Sequence, residues 1–293
     1  MKTFLDCIPC FVRQSLDAAR LVSPDPAVHE DIIRDLLRLT SEIDLDQPPP
    51  VMGQRIYRRL REITSIEDPY RAAKDHQNRL AMNMLPEMRA QVETSSDPLM
   101  AAVRLAIAGN AIDMGANSNL MDSDLRNSIL HALTMPLIGD RSDFLQDVAQ
   151  AKHILYLTDN AGEIVFDSLL IEKLEPARVT VAVRGAPVIN DATIVDARDV
   201  GLYEFVEVMD NGSDAPGTLL DDCSKTFRQR FIEADLILAK GQGNFETLSN
   251  TPRPIIFLFQ AKCPVIADHA QVPLGTRVMA RSRFEKCQYG KKS

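Results

Sequence analysis

LYLTDNAGEIVFDSLL, residues 155–170, decides the fold. It opens as a short apolar run and closes with apolar residues at helical spacing. Between the two it crowds Asp159, Asn160 and Glu163 into one tight turn around Gly162. An apolar run without polar alternation marks a strand covered on both faces, as in parallel sheets. The chain downstream supplies further runs of this kind: HILYLT (153–158), RVTVAV (178–183), EFVEVM (204–209), DLILA (235–239), PIIFLF (254–259) and TRVMA (276–280). Helix-like stretches at about 162–174, 191–200 and 218–233 separate the first four. Strands alternating with helices predict a three-layer α/β/α, Rossmann-like domain with a mainly parallel sheet, whose ligands bind at the carboxyl ends of the strands.

The first ~150 residues read differently. Apolar residues recur at three and four through 10–21, 29–43, 53–63, 69–94 and 97–116, with polar or Pro-rich breaks such as SPDP and DQPPP between them. The expected organisation is a helical N-terminal domain over 1–95 and an α/β domain over 96–293, with a helical lead-in to about residue 150.

At 293 residues and 45% hydrophobic content, the chain can bury a sizeable core. A net charge of -8 and a pI near 5.2 argue against a nucleic-acid backbone as the main partner. No run of about 18 apolar residues is present to span a bilayer, and the start does not read as a signal peptide, so a cytoplasmic protein without a membrane partner is expected. Five scattered cysteines do not form a secreted disulfide framework. Cys7 and Cys10 have C-x-x-C spacing without a second such pair. They are read as two small side chains buried at the start of the first helix, with a metal or redox role as the alternative.

The polar residues of each βα unit fall at the strand ends. Asp159, Asn160, Gly162 and Glu163 follow the first strand; Arg184, Gly185, Asn190 and Asp191 the second; Asp210, Asn211, Gly212 and Asp214 the third; Lys240, Gly241, Gln242, Gly243 and Asn244 the fourth. Carboxylate and carboxamide oxygens suit a hard divalent ion, and histidine is nearly absent here, which disfavours zinc. Capping of the following helix explains Asp159 or Asn160 alone, but not the convergence of four such turns. Lys240 directly follows an apolar strand and precedes flexible backbone, so a phosphate contact is expected of it. No P-loop or dinucleotide fingerprint occurs. In AIAGNAIDMGA (106–116), Gly109, Asn110 and Asp113 interrupt an apolar helix, either for close packing or to approach a ligand.

Eight ordered blocks carry a resemblance: CIPCFVRQ, EDPYRAAKDHQN, AGNAIDMG, DNAGEIVFD, RGAPVINDAT, NGSDAPGT, AKGQGNFETL and AKCPVIA. Over nearly the whole chain they resemble the DUF89 family of damage-control phosphatases with the ARMT1-like domain, in its prokaryotic C-x-x-C branch. The resemblance implies a divalent ion (Mn, Mg, Co or Ni) on Asp159, Asn160 and Asp191. It also implies a phosphate contact from Lys240 beside Gly241 and Asn244, and hydrolysis of small phosphomonoesters by metal-assisted attack of water. Arg184 and Glu163 join the expected substrate contacts; Glu163 sits one residue closer to the Asp-Asn pair than in eukaryotic members. Asn110 and Asp113 are expected to reach sugar hydroxyls from a helical lid. The alternatives are an S-adenosylmethionine-dependent carboxyl methyltransferase and a non-catalytic phosphometabolite-binding protein.

Overall fold

The computed structural model describes residues 1–109 and 122–282. The helices are α1 (Cys7–Val22), α2 (Pro26–Ser41), α3 (Pro49–Thr64), α4 (Arg71–Thr94), α5 (Pro98–Ala108), α6 (Asp122–Thr134), α7 (Arg141–Gln150), α8 (Glu163–Lys173), α9 (Ile194–Asp199), α10 (Lys225–Glu233), α11 (Gly241–Leu248) and α12 (Pro264–Ala270). The strands are β1 (Leu137–Ile138), β2 (Ile154–Leu157), β3 (Val179–Val183), β4 (Glu207–Asp210), β5 (Leu236–Lys240), β6 (Ile255–Gln260) and β7 (Arg277–Arg281). They form one sheet in the order β1-β7-β6-β5-β2-β3-β4. Strands β2 to β6 run parallel, β7 is antiparallel to β6, and β1 pairs parallel with β7.

The sheet is covered on both faces, as its unbroken apolar runs require. Pleating divides each strand between two layers. Ile154, Tyr156, Leu236 and Leu238 share a core with α4, α5 and α8. Leu155, Leu157, Ile237 and Ala239 pack with Phe227 and Phe231 of α10, Phe245 of α11 and Ile266 of α12. The expected mainly parallel α/β/α architecture is what the chain adopts.

A third core joins α1, α2 and α3 through Phe11, Ile32, Leu36, Met52, Ile56 and Leu60, and it takes in Val188 from the loop after β3. Helix α3 also docks onto the loop after β4. Gln54 donates to Asp214 at 2.7 Å, Arg58 pairs with the same carboxylate at 2.6 Å, and Arg61 Nη1 reaches the Pro187 carbonyl at 2.7 Å. The first three helices therefore grip two strand-end loops.

Three details differ from expectation. The segment 204–209 becomes strand only from Glu207, because Leu202–Glu204 forms a 3-10 turn. The expected helix over 218–233 is helical only from Lys225, where the Ser224 hydroxyl caps the Phe227 N–H. Strand β1 is two residues long and has no periodicity to read.

Strands β2 and β5 are neighbours, yet the chain leaves β2 toward β3 and β4 on one side and leaves β5 toward β6 on the other. Such a reversal opens a crevice at the carboxyl ends. Its rim is tightly packed at Gly185, where an added Cβ would lie 2.5 Å from the Gly212 carbonyl carbon. Gly185→Ala should cost about 1–3 kcal/mol through overpacking, read as a lowered urea midpoint. An unchanged midpoint would show that these loops do not pack as described.

Candidate active site

The turn after β2 sits at the crevice. Asp159 and Asn160 are buried, and Asn160 makes an isolated antiparallel bridge to Asp191. Backbone bonds complete this junction: Ala161 N–H donates to Asn190 O at 2.8 Å and Ala192 N–H to Asp159 O at 2.8 Å. The second loop reaches this register through Ile189, whose φ of 44° is left-handed, an outlier for a β-branched residue. Ile189 packs against the core of α1 to α3, which supplies the contacts that hold it.

Helix α4 fixes the same loops from the other side. Asn78 accepts from Gly162 N–H at 2.7 Å and donates to Asp196 at 3.1 Å. Lys74, fully buried, lies 3.0 Å from Asp196 and 3.1 Å from Asp68. Asp196 in turn closes a capping box with Thr193 at the start of α9, two residues past Asp191.

Four carboxylates and two buried cations meet here. Arg184 Nε donates to Asp191 Oδ2 at 2.6 Å, its Nη1 donates to Asn244 Oδ1 at 3.2 Å, and its Nη2 lies 3.7 Å from Asp159 Oδ1. Burial, then Asp191 and Glu163, push the Asp159 carboxyl well above its ordinary value, against the opposing charges of Arg184 and Lys262. Burial likewise raises Asp191, with Arg184 opposing. Gly241 has φ 79°, and a Cβ there would come 2.1 Å from Asp159 Cγ, so only glycine lets α11 begin against this carboxylate.

Asp159, Asn160 and Asp191 face a cavity of about 500 Å³. Lys240, Glu163, Arg184 and Asn244 stand behind that wall. Lys240 is fully buried, and its three protons go to Ala106 O at 2.9 Å, Glu163 at 2.5 Å and Asp167 at 2.7 Å. The direct phosphate contact expected of it is therefore not the arrangement found. Pleat parity gives the reason: Lys240 shares the face of Leu236 and Leu238, which points into the α5 and α8 layer. Asn244 is a latch rather than a substrate contact, donating to Thr158 O at 3.1 Å and Lys240 O at 2.7 Å. Glu163 and Arg184 are likewise turned to protein partners. Asn110 and Asp113 lie outside the described residues.

The cavity is also lined by Lys262 and Glu246, which the strand-end reading missed, and by Gln242 and Asn190, which it placed at strand ends without giving them a role. Lys262 follows the fifth apolar run, so the same strand-end rule applied once more would have found it. Glu246 is raised to about 7 by burial, Gln242 opposing through a 2.9 Å hydrogen bond. Cys7, Cys10 and Cys263 line the cavity too. The expected burial of Cys7 and Cys10 as packing is corrected, since Cys10 is exposed and Cys7 partly so. The first turn of α1 borders the crevice, with Cys7 packed in part against the helical core as well. Partial burial still raises both thiols above their ordinary value.

A doubly wound sheet with a buried acidic turn at its switch point defines an α/β protein whose ligand crevice lies at the carboxyl ends of the strands. Similarity to known proteins narrows that class. The chain belongs to the family of the damage-control phosphatase ARMT1-like domain, which it matches over residues 3–278. A damage-control phosphatase of Archaeoglobus fulgidus is 34% identical over 278 residues, covering 93% of this chain and 96% of the relative. One from Pyrococcus horikoshii is 33% identical, covering 97% and 100%. An uncharacterised protein of Methanocaldococcus jannaschii is 32% identical, covering 94% of each. The crystal structure of a DUF89 family protein from Pyrococcus horikoshii superposes with a TM-score of 0.88 at 32% identity, covering 97% and 100%.

The crowding of Asp159 has a stability consequence. A carboxyl whose folded pKa lies above its unfolded value stabilises the fold while protonated, and that contribution is lost as the pH rises through the folded value. Asp159→Asn should therefore raise the melting temperature of chelator-treated protein by a few degrees at pH 7.5. The gain should vanish toward about pH 4, where the wild-type carboxyl keeps its proton. A variant less stable than wild type at pH 7.5 would contradict this electrostatic account.

Proposed function

We propose that the protein is a divalent-metal-dependent phosphatase acting on small phosphomonoesters, such as sugar phosphates or damaged phosphometabolites. The observation that carries this reading is the pair of buried carboxylates, Asp159 and Asp191, with Asp191 raising Asp159, on the wall of a cavity that Lys262 also lines. The residues fit such an ion: two carboxylates and the Asn160 carboxamide are hard oxygen donors suited to Mn²⁺, Mg²⁺, Co²⁺ or Ni²⁺, brought together by the Asn160–Asp191 bridge. When bound, a divalent ion supplies positive charge for the phosphoryl oxygens and acidifies a water for attack.

The chain's own groups do the rest. Arg184 holds Asp191 by its Nε and keeps fixed positive charge at the base of the site. Lys262, whose charge already acts on Asp159, meets the phosphoryl oxygens from the cavity side. Asn190, Gln242 and Glu246 offer hydrogen bonds to the rest of the substrate; with its pKa near 7, Glu246 can donate or accept. Phe11, Pro49, Pro50 and Pro264 form an apolar boundary that limits water. A methyltransferase would need amides of the DNAGE turn for its cofactor, and Gly162 N–H is already taken by Asn78. Family membership supports hydrolysis in the same direction.

Hydrolysis of p-nitrophenyl phosphate with and without Mn²⁺ tests the reading. Wild type should be stimulated by the ion. Asp159→Ala should lose both Mn²⁺ binding and turnover while staying folded. Lys262→Ala should raise KM about tenfold with Mn²⁺ binding retained, a loss on the scale of one charge-assisted contact. Normal metal binding and turnover in Asp159→Ala would place the chemistry elsewhere.

A further inference from the structure

A carboxamide is nearly symmetric in shape but opposite in polarity at its two ends, so an asparagine can serve a cation only if something fixes which end faces it. Asn160 Nδ2 donates to Asp159 Oδ2 at 2.9 Å and to Glu163 Oε2 at 3.2 Å. Turning the amide over would set its oxygen against two carboxylate oxygens. Both amide protons are thus used on the protein side, and Oδ1 is left for the cavity that Asn160 lines. Asp159 is itself a proposed ligand, so Glu163 is the acceptor dedicated to the amide.

Glu163 is held in its turn. It is 1% exposed, and its Oε1 accepts from Lys240 at 2.5 Å. Lys240 also binds Asp167 Oδ1, which accepts from the Tyr156 hydroxyl at 2.8 Å. Burial acts to lower the Lys240 pKa, but Asp167 and Glu163 outweigh it, so the ammonium keeps its charge. Helix α5 presses on the same glutamate: a Cβ at Gly109 would sit 3.2 Å from Glu163 Cα and 3.3 Å from its Cγ. That contact accounts for a glycine at the end of an apolar helix.

We propose that Glu163 is a positioning residue that fixes the Asn160 carboxamide with its oxygen toward the cavity, and that Lys240, anchored by Asp167, fixes Glu163. The inference rests on the metal reading above. It moves Lys240 and Glu163 from the substrate to the support of one ligand, two bonds away from the cavity. Lys240 also makes the arrangement directional. In Glu163→Gln the ammonium would claim the new amide's oxygen, turning its NH₂ toward Asn160. Asn160 would then rotate and present its own NH₂ to the cavity, where it repels a cation.

Mn²⁺ binding, followed by the free-ion electron paramagnetic resonance signal, tests this without reference to turnover. Glu163→Gln should bind Mn²⁺ about 10–100-fold more weakly than wild type, as expected when the support of a metal ligand is altered. In an Asn160→Asp background the ligand has two equivalent oxygens and nothing to orient. There, adding Glu163→Gln should leave Mn²⁺ affinity within about threefold, because the new amide can donate to Asp at position 160. Wild-type affinity in Glu163→Gln would overturn the proposal. So would an equal penalty in both backgrounds, or a Glu163→Gln chain that fails to fold, since each assigns Glu163 a general structural role. Absence of Mn²⁺ binding by wild type would instead remove the metal reading, and this proposal with it.

Discussion

The structure depends on one electrostatic constraint: the carboxylates of Asp159, Glu163, Asp167 and Asp191 are buried together at the carboxyl ends of β2 and β3. Taking a charge out of water is costly unless partners replace the solvent. Lys240 and Arg184, both buried, offset part of that cost through contacts of 2.5–2.7 Å. Lys240 takes the α8 side with Glu163 and Asp167, while Arg184 takes the loop side with Asp191. The residual negative charge falls on Asp159 and Asp191, the two carboxylates facing the cavity; burial raises both, with Asp191 and Glu163 adding to the rise at Asp159 and Glu163 to that at Asp191. The same charges that make the crevice hard to form are those that the proposed divalent cation would offset.

The surrounding elements can be understood as the means of enforcing that constraint. Helix α3 grips the loops after β3 and β4, and the core of α1 to α3 closes over Val188 and the left-handed Ile189. Helix α4 contributes Arg71, Lys74 and Asn78 to Asp196, which keeps the start of α9 in place behind Asp191. Glycine at 241 lets α11 start against Asp159. The helical half therefore does more than cover the crevice; it holds the backbone that brings Asp191 to Asn160.

Much of this was legible in the sequence, for definite reasons. Buried parallel strands have no solvent face and read as unbroken apolar runs, so β2, β3, β5 and β6 fell where expected. The polar turns after them were legible because this architecture places ligands there. What sequence did not convey was direction. Lys240 stands at a strand end, but the pleat turns it into the α8 layer. Cys7 and Cys10 lie on a helix whose exposed face could not be tied to the crevice before the packing of α1 was known. The loop over 211–224 contains Leu219 and Leu220, whose apolar pair mimics the start of a helix, while Asn211 ties it to the loop after β3 and Asp214 to helix α3 through side-chain bonds. The direction of β7 depends on its pairing with β6, which no local pattern encodes.

On the metal reading, Asp159 and Asp191 hold extra proton affinity through burial and neighbouring carboxylates and give it up to a cation. Metal binding at such a site must displace protons. Calorimetric titration of wild-type protein with Mn²⁺, in buffers of different ionisation enthalpy between pH 5.5 and 8, measures that release. Proton release should be substantial at the acid end and decline as the pH rises, with affinity increasing in step. Mn²⁺ binding that releases no protons and keeps one affinity across this range would contradict the account.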